Sequence, residues 1–126
     1  MGLKTKRHLI NQNEPAKIVE EVGERLQSKY GKEPIPTSVI QREIERLGSY
    51  ARGSVLPSDY CYNLLNRSPY SFKYPVFIRT ERGRYKYVGP NYPYTGPILW
   101  KPQNGKEKQV GRWNAGKCNL DEDPRT

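Results

Sequence analysis

The sequence has few of the residues that build metal centres and acid–base catalytic sites. Its two cysteines, Cys61 and Cys118, and its single His8 are too few for a structural zinc site, which needs about four ligands. The phosphate-binding patterns GxxxxGK[ST] and GxGxxG are both missing. Residues 68–117 contain two acids, Glu81 and Glu107, so no carboxylate cluster of nuclease spacing is present there. We therefore expect a protein that is not an enzyme, has no cofactor or metal, and uses Cys61 as a small buried apolar residue.

Long apolar runs are also missing. No stretch approaches the roughly 20 apolar residues of a membrane span, and the opening MGLKTKRHLINQNEP has no apolar segment typical of a signal peptide. These features predict a cytoplasmic protein with reduced thiols and no membrane partner. Phenylalanine occurs twice against ten tyrosines, so tyrosine must provide much of the aromatic packing.

Acidic residues are scarce in one part of a chain whose formal net charge is +9. Residues 68–117 carry ten Lys/Arg and two Asp/Glu, whereas residues 1–67 carry eleven and eight. A concentrated positive charge favours a polyanionic partner, most often nucleic acid. A basic surface that only keeps a small protein in solution is the alternative.

The N-terminal half contains three segments with helical patterns. The spacing of apolar residues, together with Pro15 at the start and Gly31 at the end, predicts a first helix over 15–30. A second helix is predicted over 38–47, with Ser38 and Gln41 as a capping box.

The third predicted helix covers residues 58–66. Ser58 is a suitable N-cap and Asp59 lies in the first turn. Cys61, Leu64 and Leu65 have the spacing of one apolar helix face.

Beyond Pro69 the apolar residues alternate, as in β-strands. PVFIRTERGRYKYVG predicts a β-hairpin whose tip carries Glu81, Arg82 and Arg84. A Pro/Gly-rich segment follows, with further short strands expected near 98–100 and 109–113. Residues 1–13 are expected to be a flexible basic arm and residues 117–126 an acidic disordered tail. Residues 14–116 would form a single domain.

This order of elements is that of a winged helix-turn-helix. The predicted fold class is α+β, winged helix-turn-helix-like, with three N-terminal helices followed by a basic β-hairpin and a Pro/Gly-rich C-terminal segment. In such domains the third helix enters the major groove, and the hairpin lies along the backbone or minor groove. The connection of about ten residues before the third helix is longer than the tight motif requires.

Two motifs carry a family resemblance. SVLPSDYCYN at 54–63 and RGRYKYVGPNYPYTG at 82–96 resemble an uncharacterised family of small prokaryotic proteins and domains of unknown function. The resemblance covers Ser54–Trp100. It implies a recurring module, without any activity or site.

The function predicted first is a non-catalytic nucleic-acid-binding module, with double-stranded DNA as the favoured partner and DNA preferred over RNA. Base readout is assigned to the third helix, because asparagine can form two hydrogen bonds with adenine, and phosphate contacts are assigned to the hairpin. The reading residues would be Tyr62, Asn63, Asn66 and Arg67, and the phosphate-binding residues Arg79, Arg82, Arg84 and Lys86.

Other interpretations stay open. Tyr92 and Tyr94, in the Pro/Gly-rich segment, could stack on unpaired bases, which would make the module a single-stranded nucleic-acid binder or a modified-base reader. Tyr62 could instead be a core aromatic, with Asn63 and Asn66 solvated. A protein–protein adaptor with a basic face is a further alternative.

Overall fold

The fold consists of two N-terminal helices followed by two three-stranded antiparallel sheets. The computed structural model describes residues 14–66 and 74–121. The elements are helix α1 (Glu14–Tyr30), strand β1 (Ile35–Pro36), helix α2 (Thr37–Gly48), a short 3-10 helix (Pro57–Tyr60), and strands β2 (Phe77–Glu81), β3 (Arg84–Tyr87), β4 (Gly96–Trp100), β5 (Lys108–Asn114) and β6 (Lys117–Leu120). No helix within the described residues is long and apolar enough to cross a membrane.

The two sheets are joined by an extended segment, residues 61–66, which we call the linking segment. The first sheet has the strand order β1-β3-β2 and the second β4-β5-β6. Tyr62 donates its backbone N–H to the oxygen of Phe77 at 2.9 Å, and Leu65 donates to Leu99 at 2.8 Å. The linking segment therefore satisfies backbone groups at an edge of each sheet, groups that would otherwise need water or another partner.

Each sheet covers its own apolar core. The first core lies between the helices and the first sheet and includes Val19, Val22, Leu26, Ile35, Ile40, Ile44, Cys61, Phe77 and Tyr85. The second lies between the linking segment and the second sheet and contains Tyr62, Leu65, Ile98, Val110 and Trp113. The linking segment contributes to both cores, because neighbouring residues of an extended chain point to opposite sides.

The first two predicted helices are confirmed. Helix α1 begins one residue before the predicted start, and α2 extends one residue beyond the prediction at each end. The predicted capping box is wrong: Pro36 occupies the N-cap position, and no side chain caps this end of α2. Thr37 instead donates its backbone N–H to the oxygen of Gly83 in the hairpin turn, at 2.9 Å.

The third predicted helix is wrong, and with it the winged helix-turn-helix fold. Only Pro57–Tyr60 forms a short 3-10 helix, and residues 61–66 are not helical: Cys61 is extended and forms a β-bridge with Phe77, and Leu64 forms one with Leu99. A nine-residue helix has little intrinsic stability, whereas the two sheet edges offer hydrogen bonds to an extended chain. The apolar residues fit both conformations, since Cys61 is buried in the first core and Leu65 in the second.

The predicted hairpin and both short strands are confirmed. β2 and β3 pair around Gly83, and the segments near 98–100 and 109–113 lie in β4 and β5. Residues 117–120, assigned from sequence to the tail, form β6 and pair with β5. The predicted basic arm, residues 1–13, and residues 122–126 of the predicted tail lie outside the described residues.

Candidate functional site

A groove of about 650 Å³ opens between the start of α1, the loop before β4 and the β5–β6 turn. Its aromatic lining consists of Tyr62, Tyr74, Tyr92 and Trp113, and α1 contributes Lys17 and Glu20. The volume is in the range of ligand sites, roughly 300–1,000 Å³. We call this the aromatic groove.

Tyr62 organises the base of the aromatic groove. Its hydroxyl donates to the backbone oxygen of Gly89 at 2.8 Å and accepts the backbone N–H of Tyr92 at 3.0 Å. Trp113 donates its indole N–H to the backbone oxygen of Tyr62 at 2.7 Å, and the two ring centroids are 5.2 Å apart. Burial raises the pKa of the Tyr62 hydroxyl. Tyr62 is thus a core aromatic that positions the groove, as the alternative interpretation of this residue expected.

The loop before β4 is tied to the turn between β5 and β6. Gly116 donates its backbone N–H to the oxygen of Tyr94 at 3.0 Å, and Ala115 donates to the Thr95 hydroxyl at 2.8 Å. These bonds fix the loop in which Tyr92 is 39% exposed. Tyr92 therefore presents an aromatic ring to solvent from a position set by backbone hydrogen bonds.

Two side chains of α1 bring opposite charges to the aromatic groove. Lys17 is exposed and Glu20 is half-buried, one helical turn apart. Among the described residues, neither of them forms an ion pair within 4.0 Å. Burial, together with the negative charges of Glu20 and Glu24, raises the pKa of the nearby Tyr87 to about 12.

A second, basic groove of about 500 Å³ lies beside β2 and the loop before β5. Arg79 makes two contacts with Glu107 there, at 2.8 and 2.9 Å. This pairing, with the charges of Arg82 and Lys101, lowers the pKa of Glu107. Arg82, Lys101 and Lys106 are exposed in the same groove, so with Arg79 its net charge is positive despite the two acids, Glu81 and Glu107.

The two predicted base-reading asparagines have structural roles. Asn63 donates to the backbone oxygen of Arg79 at 2.8 Å and accepts its N–H at 2.9 Å, which joins the linking segment to β2. Asn66 donates to the Asp59 carboxylate at 2.7 Å and to the Ser58 hydroxyl at 3.0 Å. These amides are engaged within the protein, a role that neither base readout nor solvation anticipated.

The remaining predicted site residues are divided between several surfaces. Tyr62, Tyr92 and Tyr94 come together, with Tyr62 about 6 Å from each of the other two rings. Arg79 and Arg82 meet in the basic groove. Arg84 lies near Glu81 at 3.6 Å, and Lys86 is half-buried on β3. Arg67 lies outside the described residues.

Several groove residues had no signal in the sequence. Lys17 and Glu20 belong to an ordinary amphipathic helix, and Trp113 lies at the end of a short predicted strand. They meet Tyr92 only in the folded protein, where α1, the loop before β4 and the second sheet surround the groove, and no local pattern reveals this.

The two thiols are in different environments. Cys61 is fully buried in the first core, as predicted, and burial raises its pKa, whereas Cys118 on β6 is exposed. Within residues 14–66 and 74–121, no group of three or more His, Cys, Asp or Glu side chains is arranged to hold a metal ion.

Comparison with known proteins finds a bacterial relative of the chain. It is 34% identical over 107 residues to an uncharacterized protein, YnaC, of Bacillus subtilis (strain 168). The match covers 83% of this chain and 40% of that protein, so the chain spans less than half of its relative's length. No solved structure matches the chain.

A family model described as a domain of unknown function (DUF7225) matches residues 17–120. The matched region runs from the first turns of α1 to the end of β6 and includes both motifs, at 54–63 and 82–96, that suggested a family of unknown function. The expectation of a family of unknown function is confirmed, and the chain belongs to the DUF7225 family.

Proposed function

We propose that the protein is a non-catalytic module that binds single-stranded nucleic acid and accepts an unpaired base in the aromatic groove. The observation that carries the proposal is the groove itself, where Tyr74, Tyr92 and Trp113 surround about 650 Å³ beside the cation of Lys17. Stacking of a base on an aromatic side chain contributes about 1–3 kcal/mol. Every base has a flat face that can stack, so such a site tolerates different sequences.

Single strands suit the fold better than duplex DNA. The segment expected to enter the major groove is extended and lies between the two sheets, and its asparagine amides are hydrogen-bonded within the protein. Duplex readout would need these groups to face outward. The aromatic groove needs only a base that is free of its partner strand.

The charge distribution supports a polyanionic ligand. Residues 68–117 hold most of the net positive charge, and Arg82, Lys101 and Lys106 expose their charges in the basic groove. Lysine and arginine side chains that neutralise phosphates release counterions, so affinity falls as salt rises. We assign these residues to contacts with the phosphate backbone.

The proposal is tested by fluorescence anisotropy with a labelled ten-nucleotide single strand of mixed sequence and with a duplex of the same sequence. We expect the single strand to bind more tightly. Tyr92→Ala should weaken its binding about tenfold, which corresponds to the removal of one stacking interaction. Tyr92→Phe keeps the ring and should bind like the wild type.

Tyr30→Ala is the control, because Tyr30 lies at the opposite end of α1, outside the aromatic groove. Circular dichroism of each variant verifies that it is folded. Absence of binding to any nucleic acid at low salt, or equal affinity of Tyr92→Ala and the wild type, contradicts the proposal.

A further inference from the structure

Glu20 places a carboxylate in a groove whose aromatic rings alone would suffice for stacking. The side chain is half-buried and shares the groove with Tyr92 and Trp113. In the described part of the chain it forms no ion pair within 4.0 Å. An ionised carboxylate in such a groove can accept hydrogen bonds from a ligand that carries suitable donors.

We propose that Glu20 selects guanine among the bases that enter the aromatic groove, an inference that rests on the proposed function. An ionised carboxylate only accepts hydrogen bonds, and its two oxygens can accept two parallel ones. The Watson–Crick edge of guanine presents two neighbouring donors, the N1–H and the N2 amino group. This edge matches a carboxylate, with one donor for each oxygen.

The other bases match a carboxylate less well. Cytosine and adenine each present an amino donor next to a ring-nitrogen acceptor, and thymine presents one N–H between two carbonyl oxygens. An acceptor facing a carboxylate oxygen is repelled, because two negative partial charges are brought together. Guanine is therefore the base for which Glu20 makes two hydrogen bonds without repulsion.

Lys17 completes the recognition of a nucleotide. It lies one helical turn before Glu20 and lines the same groove. A lysine ammonium is a compact charge that suits phosphate. Its position offsets the repulsion that the Glu20 carboxylate would exert on the phosphate of the bound nucleotide. The ligand class is thus a guanine nucleotide within a single strand.

The test compares ten-nucleotide oligo-dT strands that carry one central G, A, C, T or inosine. Binding is followed by tryptophan fluorescence, to which Trp113 in the groove contributes beside Trp100, and by anisotropy of a terminal label. We expect the strand with G to bind about tenfold more tightly than the one with T, since one good bidentate pair discriminates by about this factor. Inosine lacks the N2 amino group and should lie between the two.

Glu20→Gln tests the residue directly. A glutamine amide carries one acceptor and one donor group, and it pairs with adenine through two hydrogen bonds. The variant should lose the preference for G and prefer A. Glu24→Gln is the matched control, because it makes the same change one turn further along α1, outside the groove, and it should keep the preference for G.

The outcomes separate the two proposals. Equal affinity for all five strands, or a Glu20→Gln variant that still prefers G, overturns the role of Glu20 and leaves single-strand binding intact. If none of the strands binds at low salt, the proposed function itself fails.

Discussion

Gly23 lies in the middle of α1, where alanine would favour the helix by about 1 kcal/mol. The ring of Tyr87 occupies the space that a Cβ atom would need, well inside van der Waals contact. We expect Gly23→Ala to destabilise the protein by about 1–3 kcal/mol, because the cost of overpacking exceeds the gain in helix propensity. Urea unfolding followed by circular dichroism measures the change in the free energy of unfolding.

Ser28→Ala is the matched control, since Ser28 is exposed on the same helix. At this exposed position only helix propensity changes, so Ser28→Ala should raise the free energy of unfolding by up to about 0.5 kcal/mol. A Gly23→Ala protein more stable than the wild type would show that α1 and β3 can separate at no energetic cost. The close approach of helix and sheet would then have no energetic role.

At the scale of one side chain, the Asp59 carboxyl predicts that the stability of the folded protein depends on pH. Burial raises its pKa, although hydrogen bonds from the backbone of Leu56 and from Asn66 oppose the shift. A carboxyl group with a raised pKa stabilises the folded state most below its ordinary pKa of about 3.9. This contribution is lost as the pH rises through the raised value.

Asp59→Asn removes the titration and keeps an oxygen that can accept from Asn66. We expect the stability of this variant, relative to the wild type, to increase as the pH rises from about 3 to 7. Urea unfolding of both proteins at several pH values measures this difference. A difference that is constant with pH, or that changes in the opposite direction, would contradict a raised pKa of Asp59.

At the scale of elements, the β5–β6 turn contains two residues in the left-handed region. Ala115 has φ 49° and Gly116 has φ 85°, the geometry of a two-residue turn that favours Asn-Gly. Ala115→Asn should therefore stabilise the protein by about 0.5–1 kcal/mol, because asparagine tolerates positive φ better than alanine. Gly116→Ala should have the opposite effect. Thermal unfolding measures the Tm of both variants relative to the wild type. An Ala115→Asn variant with a lowered Tm contradicts the turn assignment.

The elements that could be predicted from sequence are those with a local pattern. The spacing of Val19, Val22 and Leu26 indicates α1, and the alternation around Gly83 indicates the hairpin. The linking segment has no such unique pattern. Cys61 and Leu65 could share one face of a helix, or they could lie in two separate cores on either side of a non-helical chain. Its conformation depends on pairing with Phe77 and Leu99, which lie farther along the chain.

At the scale of the molecule, the candidate site combines predictable and unpredictable parts. Tyr92 was a candidate for stacking because it lies in a Pro/Gly-rich loop next to basic strands. Glu20 and Trp113 come from opposite ends of the chain, and only the tertiary fold brings them to the same groove. Nucleic-acid binding itself stays a prediction, supported by a net charge of +9 and by the aromatic groove.

The charge distribution predicts how single-strand binding depends on salt. If the basic groove binds phosphates, Arg82→Glu combined with Lys101→Glu should weaken single-strand binding and reduce its salt dependence. The slope of log K against log salt should become less steep by about 0.7 for each phosphate that the protein no longer neutralises. Anisotropy titrations between about 20 and 200 mM salt measure this slope.

The matched control combines Lys32→Glu with Arg42→Glu. Both residues are exposed on the helical half of the molecule, outside the two grooves, and the change in net charge is the same. The overall field of the protein steers a charged ligand in both double variants, but only the first removes cations that touch the phosphates directly. If the two double variants have equal affinities and equal salt slopes, net charge alone acts on the ligand, and the basic groove is not a phosphate-binding surface.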